Sequence, residues 1–515
     1  MRKRVLIVGG GTAGWICAAY MARMLSADQP GGVAITLVES DEIGVVGVGE
    51  GTFPIIRKTL ARIGLDEAEL VRDADATFKQ AIRFQGWSTG RGDDAYLHPF
   101  QVAAQHSDMD LLPYWLLGLA GDAPWAEVST AQARLVAAMR APKLASHADY
   151  GGPLNYAYHF DAVRFAAVVR RRAVALGVER LVDTIDEVRL DEGGAIAAVR
   201  ARAHGDLTAD LFVDCTGFRA RLIGEALGSR FTSRRDRLFC NRAVAIQLPY
   251  DRPDAPIPSC TVSTARESGW IWDIGLQARR GLGYVYSSDH CGDEAAADAL
   301  RAHAGPAARD LPQRQLSFEA GYRAVQWQAN CVAIGLSAGF IEPLEATGIS
   351  FAEVAALILV NLFPWSGDHE RSARMFNAQM ATRYERVIDF LKLHYCLSRR
   401  TDSDFWHDNR APSSISDDLT DRLEQWRHRP PSFLDVDKSH DVFEEHSWQY
   451  ILYGMGFHTD IGARAGALRF HDEARLEFAN IRRHADEALA SLPPHRTLVN
   501  AMAARAGRPG ARPHR

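Results

Sequence analysis

Residues 4–14 read RVLIVGGGTAG, and this stretch decides the fold. Arg4–Val8 is a short apolar run of the kind that forms a strand buried on both faces. It enters Gly9-x-Gly11-x-x-Gly14. Residues 15–25 (WICAAYMARML) then carry a helical pattern, and residues 34–39 (AITLVE) read as a second strand. Strand, glycine loop, helix and strand make one βαβ unit, the context that the dinucleotide fingerprint requires. The first glycine permits the tight turn, the second lets a pyrophosphate approach the backbone, and the third lets helix pack on strand. The helix N-terminus offers free N–H groups to phosphate, with Thr12 and Ala13 of the loop beside it. Glu39 ends the second strand, where a ribose-binding carboxylate belongs.

Further along, residues 41–54 (DEIGVVGVGEGTFP) hold four glycines, Gly49 among them, so the backbone can approach a ligand closely. Residues 161–176 read as a helix. Residues 180–183, 187–190 and 195–203 read as strands, with the Asp191–Gly194 turn between the last two. Residues 209–215 (ADLFVDC) form another strand, which ends in the small-residue turn Asp214-Cys-Thr-Gly217. That turn suggests a second approach to the same cofactor. It favours FAD over NAD, in a monooxygenase-like arrangement. Residues 238–290 look β-rich, and residues 330–335 form a strand entering a second glycine-bearing loop. Helical patterns dominate from about 349 to 395 and again after 470. The fold class expected is α/β: a Rossmann-like FAD-binding module of the flavin monooxygenase type, interwoven with a mainly helical module.

Composition bounds the rest. The chain has 515 residues, enough for two or three domain-sized units or one large domain with insertions. Its net charge of -5 gives no reason to expect nucleic acid as a partner. Seven cysteines without a C-x-x-C pair argue against a disulfide scaffold or a zinc site and fit a reducing, cytoplasmic setting. The longest apolar stretch, near Phe351–Phe363, is interrupted by Glu353 and is too short to span a membrane. The basic N-terminus is followed by only four apolar residues, so no signal peptide is expected. No metal site is expected, since there is no H-E-x-x-H and no tight His/Asp cluster.

Gly335-Leu-Ser337-Ala-Gly339 matches a hydrolase nucleophile elbow. Such an elbow needs a helix directly after the serine. Gly339 and Pro343 interrupt one, which favours a flavin-contacting loop leading to a helix near Ile349.

Residues 269–276 read GWIWDIGL, two tryptophans on one face of a strand. Together with the glycine loop, this chain resembles the flavin-dependent halogenases, especially the tryptophan (indole) halogenase family. Trp270, Trp272 and Ile274 match that family's W-x-W-x-I-P, with Gly275 in the proline's place. Thr77-Phe-Lys79-Gln80 resembles the segment of its essential lysine. Asp214–Arg219 resembles its D-C-T/S-G-F/M-R strand end. Glu342-Pro-Leu-Glu345-Ala-Thr347-Gly348-Ile349 resembles its E-P-L-E-S-T-G/S-I block, with Ala346 where tryptophan-specific members have serine.

The resemblance implies the chemistry. Reduced FAD (FADH2) reacts with O2 to a flavin hydroperoxide, and halide (chloride or bromide) is oxidised to hypohalous acid. The acid reaches Lys79 and halogenates an electron-rich aromatic ring of indole type. Lys79 polarises the oxidant or forms a chloramine. Glu345 orients it and takes the ring proton. Thr347 and Gly348 hold halide through backbone N–H groups. Leu336 and Ile349 contact flavin, and Val182 lies on its adenine side. His98, Phe100 and Trp448 or Tyr450 stack the substrate. The polar groups that hold the amino and carboxyl groups of tryptophan have no match here. No NAD(P)H site is evident, which agrees with a separate flavin reductase as partner. The expected organisation is a FAD-binding module over 1–350, with about 80–160 contributing to the substrate pocket. A helical substrate-covering module over 351–502 and a disordered tail over 503–515 complete it. Two other readings compete: a flavin-dependent aromatic hydroxylase, and a non-catalytic flavin-binding sensor.

Overall fold

The computed structural model describes residues 2–42, 49–102 and 109–505. The glycine run at 43–48 and the expected tail from 506 onward lie outside the described residues. Ala503 is not tail but the last residue of helix His495–Ala503.

The opening βαβ unit builds the centre of a six-stranded sheet. Its order is Trp327–Gln328, Cys331–Ala333, Leu211–Asp214, Arg4–Val8, Ala34–Glu39, Glu179–Val182. All neighbours are parallel except the Trp327–Gln328 hairpin. The chain leaves Arg4–Val8 toward one side and returns on the other. The crevice at the carboxyl end of that strand is therefore a topological switch point, where such sheets bind ligands. The helix after the glycine loop starts at Thr12, three residues before the sequence pattern suggests, and runs to Met24. Every residue from Gly14 to Ala22 is buried. One side meets the sheet, and helices Ala162–Ala175 and Thr347–Asn361 cover the rest.

A seven-stranded sheet forms the second layer: Arg314–Ser317, Arg242–Pro249, Arg279–Tyr286, Gly269–Gly275, Thr261–Arg266, Ala81–Gln85, Ala95–Pro99. It is antiparallel except for the parallel pair Thr261–Arg266 and Ala81–Gln85. Between the layers sits a three-stranded sheet with Ala157–Asp161 in its middle. Gly49–Gly51 lies on one side of that strand and Thr77–Lys79 on the other. This small sheet joins the glycine-rich loop to the lysine segment.

The helical third is not a separate body. Residue 350 falls in the second turn of helix Thr347–Asn361. One hydrophobic core runs without interruption from Val5 to Met502. The 27-residue helix Glu370–Cys396 spans this core, presenting Phe376, Tyr384, Phe390 and His394 to it. Among the described residues no helix is long and apolar enough to cross a membrane. All seven cysteines are free.

Candidate functional site

The glycine loop has the shape that a dinucleotide needs. Gly9 sits at φ +114°, and a Cβ there would lie 2.2 Å from the Cys215 carbonyl oxygen. A Cβ on Gly14 would lie 1.9 Å from the Gly9 carbonyl oxygen. A Cβ on Gly11 would meet nothing within 4 Å. The first and third glycines are thus required by the fold itself, and the second opens onto free space. The helix behind it has no side-chain cap, and the Thr12 hydroxyl is buried without a hydrogen-bond partner. An uncapped helix start with an orphaned hydroxyl fits a phosphate. Gly335 crosses directly over Ala13, and Leu336 follows it in the same turn.

Glu39 lies against Gly10 at the strand end. Its Oε2 accepts from the Trp15 indole N–H at 3.0 Å and its Oε1 from Arg180 at 2.5 Å. Val182, paired with Glu39 across the sheet, is exposed. Gly49 lines a cavity of about 280 Å³ together with Trp272, Gly281 and Gln313.

Two motif residues have structural partners here. The Asp214 carboxylate is engaged within the protein. That group is fully buried and accepts from the Thr216 N–H and hydroxyl and from the Leu222 and Ile223 N–H groups. Its contribution is to fix the strand-end turn that crowds Gly9. Ser337, the serine of the elbow motif, is buried and donates to the Asp214 carbonyl oxygen. It braces two strand ends and is no nucleophile.

Lys79 is fully buried at the end of its strand, and its ammonium has no hydrogen-bond partner. It lies 5.2 Å from the Phe100 ring centre. It also passes over Gly51, whose missing side chain leaves it room: a Cβ there would sit 3.3 Å from Nζ. Burial pulls the amine down from its usual 10.5 to about 8, with Glu345 partly opposing. Glu345 is equally buried and accepts from His98 Nδ1 at 3.0 Å, while His394 Nε2 lies 3.2 Å away. Burial is the strongest influence and raises its carboxyl, but the two histidines outweigh it and hold the group down to about 2. The site therefore pairs a buried amine with an ionised carboxylate. His394 comes from the long helix and was not among the expected residues.

Ala346 follows in the left-handed conformation (φ 56°) and turns the chain into helix Thr347–Asn361. This helix start also lacks a side-chain cap, and the Thr347 hydroxyl is buried without a partner. A Cβ on Gly348 would meet nothing within 4 Å. Ile349 is buried in the first turn.

An aromatic box stands beside Lys79. His98 lies 6.5 Å from Phe100, 5.9 Å from Phe390, 6.2 Å from Phe443 and 6.2 Å from Tyr450, between ring centres. Phe53 closes it, with its ring 5.5 Å from Phe100 and 5.4 Å from Phe443. Tyr450 belongs to this wall, anchored by its hydroxyl to the Gln101 carbonyl oxygen. Trp448 does not reach it: the indole packs behind Phe390 and against Trp426. Phe443 is stacked 3.8 Å from Phe390.

Trp270 and Trp272 are both buried, their ring centres 6.3 Å apart. The neighbouring Gly275 has no space for a side chain. A Cβ there would lie 2.9 Å from the Tyr250 hydroxyl and 3.1 Å from Pro258. Among the described residues no cluster of His, Cys, Asp or Glu could hold a metal ion.

The chain is similar to known proteins over nearly its whole length. The profile of the tryptophan halogenase family matches residues 4–467. Tryptophan 6-halogenase SttH of Streptomyces toxytricini is 37% identical, with 98% of each chain covered. The 7-chloro-L-tryptophan 6-halogenase KtzR of Kutzneria sp. (strain 744) is 36% identical over 95% of this chain and 98% of its own. Among solved structures, the tryptophan halogenase of Shewanella frigidimarina NCIMB 400 superposes with a TM-score of 0.93 at 38% identity, with 98% of each chain covered. Fold, buried lysine–glutamate site and whole-chain similarity lead to one conclusion: the chain belongs to the tryptophan halogenase family.

Proposed function

We propose that this enzyme uses FADH2 and O2 to halogenate an electron-rich aromatic substrate of indole type. The observation that carries the reading is the buried, unpartnered Lys79 ammonium beside an ionised Glu345, both facing an aromatic box. The open space over Gly11, the Thr12 hydroxyl and the uncapped helix start fit the pyrophosphate of FAD. Leu336, Val182 and Glu39 flank that cradle. The chemistry that reduced FAD supplies there is the oxidation of halide by O2 to hypohalous acid. Chloride or bromide is held by the N–H groups of Thr347 and Gly348.

This chain's residues do the rest. The Lys79 ammonium donates to the oxygen of hypohalous acid and polarises its bond to halogen. His98, Phe100, Phe443 and Tyr450 hold the flat ring in line. Glu345, kept ionised by its histidines, receives the proton that the ring carbon loses. A separate flavin reductase supplies FADH2. The seven free thiols support a reducing, cytoplasmic setting.

The test is incubation of the protein with FAD, a flavin reductase, NADH, indole and bromide, with products read by mass spectrometry. Brominated indole, absent with Lys79→Ala, is the expected result. Oxygenated indole formed equally without bromide would overturn the reading.

A further inference from the structure

Glu345 is held by two histidines from different elements. His98 belongs to strand Ala95–Pro99 and bonds both carboxylate oxygens through Nδ1, at 3.0 Å each. His394 belongs to helix Glu370–Cys396 and places Nε2 3.2 Å from Oε1, a close polar contact outside hydrogen-bond geometry, and that nitrogen has no hydrogen-bond partner. The second His394 nitrogen, Nδ1, lies 3.0 Å from the Tyr96 hydroxyl. Tyr96 is buried and keeps its proton, since burial and then the charge of Glu345 drive its phenol upward. The tautomer that fits both contacts has Tyr96 donating to Nδ1 and the Nε2–H turned toward Glu345 at 3.2 Å. Burial also pushes the His394 imidazole below its ordinary value, so this ring is neutral and acts as a hydrogen-bond donor. Hydrocarbon packing fixes its direction: it stacks 4.7 Å from Phe84 and meets the edge of Phe390 at 5.6 Å.

A fully buried carboxylate in an aromatic box gains nothing from water, so burial alone would keep it protonated and useless as a base. We propose that His394 is a positioning residue of the reaction: through Tyr96 it presents Nε2–H to Glu345, keeping that carboxylate ionised and aimed at the substrate ring. The inference rests on the halogenation reading above. The other ionisable groups facing this pair are His98 and Lys79, with Cys260 acting on Lys79 and His446 on His98.

The experiment is the pH profile of indole bromination from pH 5 to 9 in three variants, His394→Phe, His394→Gln and Tyr96→Phe. Wild type is expected to keep its rate toward pH 5. His394→Phe removes the donor and lets burial drive the Glu345 carboxyl up from about 2 to about 6, giving roughly tenfold extra loss at pH 5. His394→Gln retains an N–H donor at the same distance along the side chain and is expected to restore the profile. Tyr96→Phe frees the tautomer and is expected to fall between them. A His394→Phe rate lowered equally at every pH, or a glutamine variant no better than phenylalanine, would overturn the inference.

Infrared titration of the Glu345 carboxyl band, identified by difference against Glu345→Gln, gives the same answer without turnover. If His394→Phe does not fold, the His394→Gln and Tyr96→Phe titrations decide. Wild type that brominates nothing would instead sink the functional reading, while the infrared comparison would still judge His394.

Discussion

Replacing Lys79 with methionine should make the protein more stable while abolishing halogenation. The ammonium is completely buried and unpartnered, and its amine falls from 10.5 in the unfolded chain to about 8. At about 1.4 kcal/mol per pH unit, that fall is a burden of about 3 kcal/mol on the native state at neutral pH. The sign follows from proton counting. Between pH 8 and 10.5 the unfolded chain holds a proton at Lys79 that the native state has released, so wild-type stability rises through that window. Lys79→Met has no such proton. Its advantage should be largest below pH 8 and should fade as pH approaches 10.5. For a chain of 515 residues, an unfolding entropy near 2.1 cal/mol/K per residue converts about 3 kcal/mol into about 3 °C. Scanning calorimetry of both proteins at pH 7 and pH 10, at one scan rate, measures this. A lower melting temperature for Lys79→Met, or a gap independent of pH, would refute the reasoning. It would mean that the ammonium has a compensating partner.

Three other outcomes follow from the same geometry. Gly9→Ala forces a methyl into the Cys215 carbonyl at positive φ and should destabilise the fold measurably, whereas Gly11→Ala should leave melting unchanged and weaken FAD binding about tenfold; calorimetry and flavin fluorescence titration separate the two. The Glu353 carboxyl is buried and pushed up from 4.5 to about 8, so the native state holds its proton and stability falls as pH rises between those values; Glu353→Gln should exceed wild type by about 3 kcal/mol at pH 7 and match it near pH 4.5 in denaturant melts. Phe443→Ala removes a ring stacked on Phe390, should cost about 3–5 kcal/mol, and should raise kcat/KM for bulky indoles relative to indole itself.

The dinucleotide unit was legible because its signal is local: an apolar run, three glycines and a helical pattern within 25 residues. Lys79 and Glu345 were legible through their motifs, and both stand where burial gives them chemistry. The choice between Trp448 and Tyr450 was open in the sequence for a geometric reason. In the run VFEEHSWQY any aromatic can face the substrate, and only the helix start at Glu445 decides that Tyr450 turns inward while Trp448 turns toward Trp426. Phe53 was hidden at the end of a glycine-rich loop. His394 carries no signal at all in sequence, being one histidine in an amphipathic helix 49 positions from the carboxylate it lies beside. Asp214 was legible through its strand-end motif, and its carboxylate shapes that turn.

Helix Thr347–Asn361 begins at the expected halide position and packs along helix Thr12–Met24, which begins at the dinucleotide loop. The aromatic box is assembled from other pieces: a strand edge, the long helix and the segment around Phe443. Substrate range can therefore drift during evolution, or be redesigned, by exchanging box residues while the two packed helices hold oxidant production constant. A halogenating catalyst of this architecture is in effect a fixed generator with a replaceable receptacle, and mutational libraries aimed at new substrates belong on the second and should spare the first.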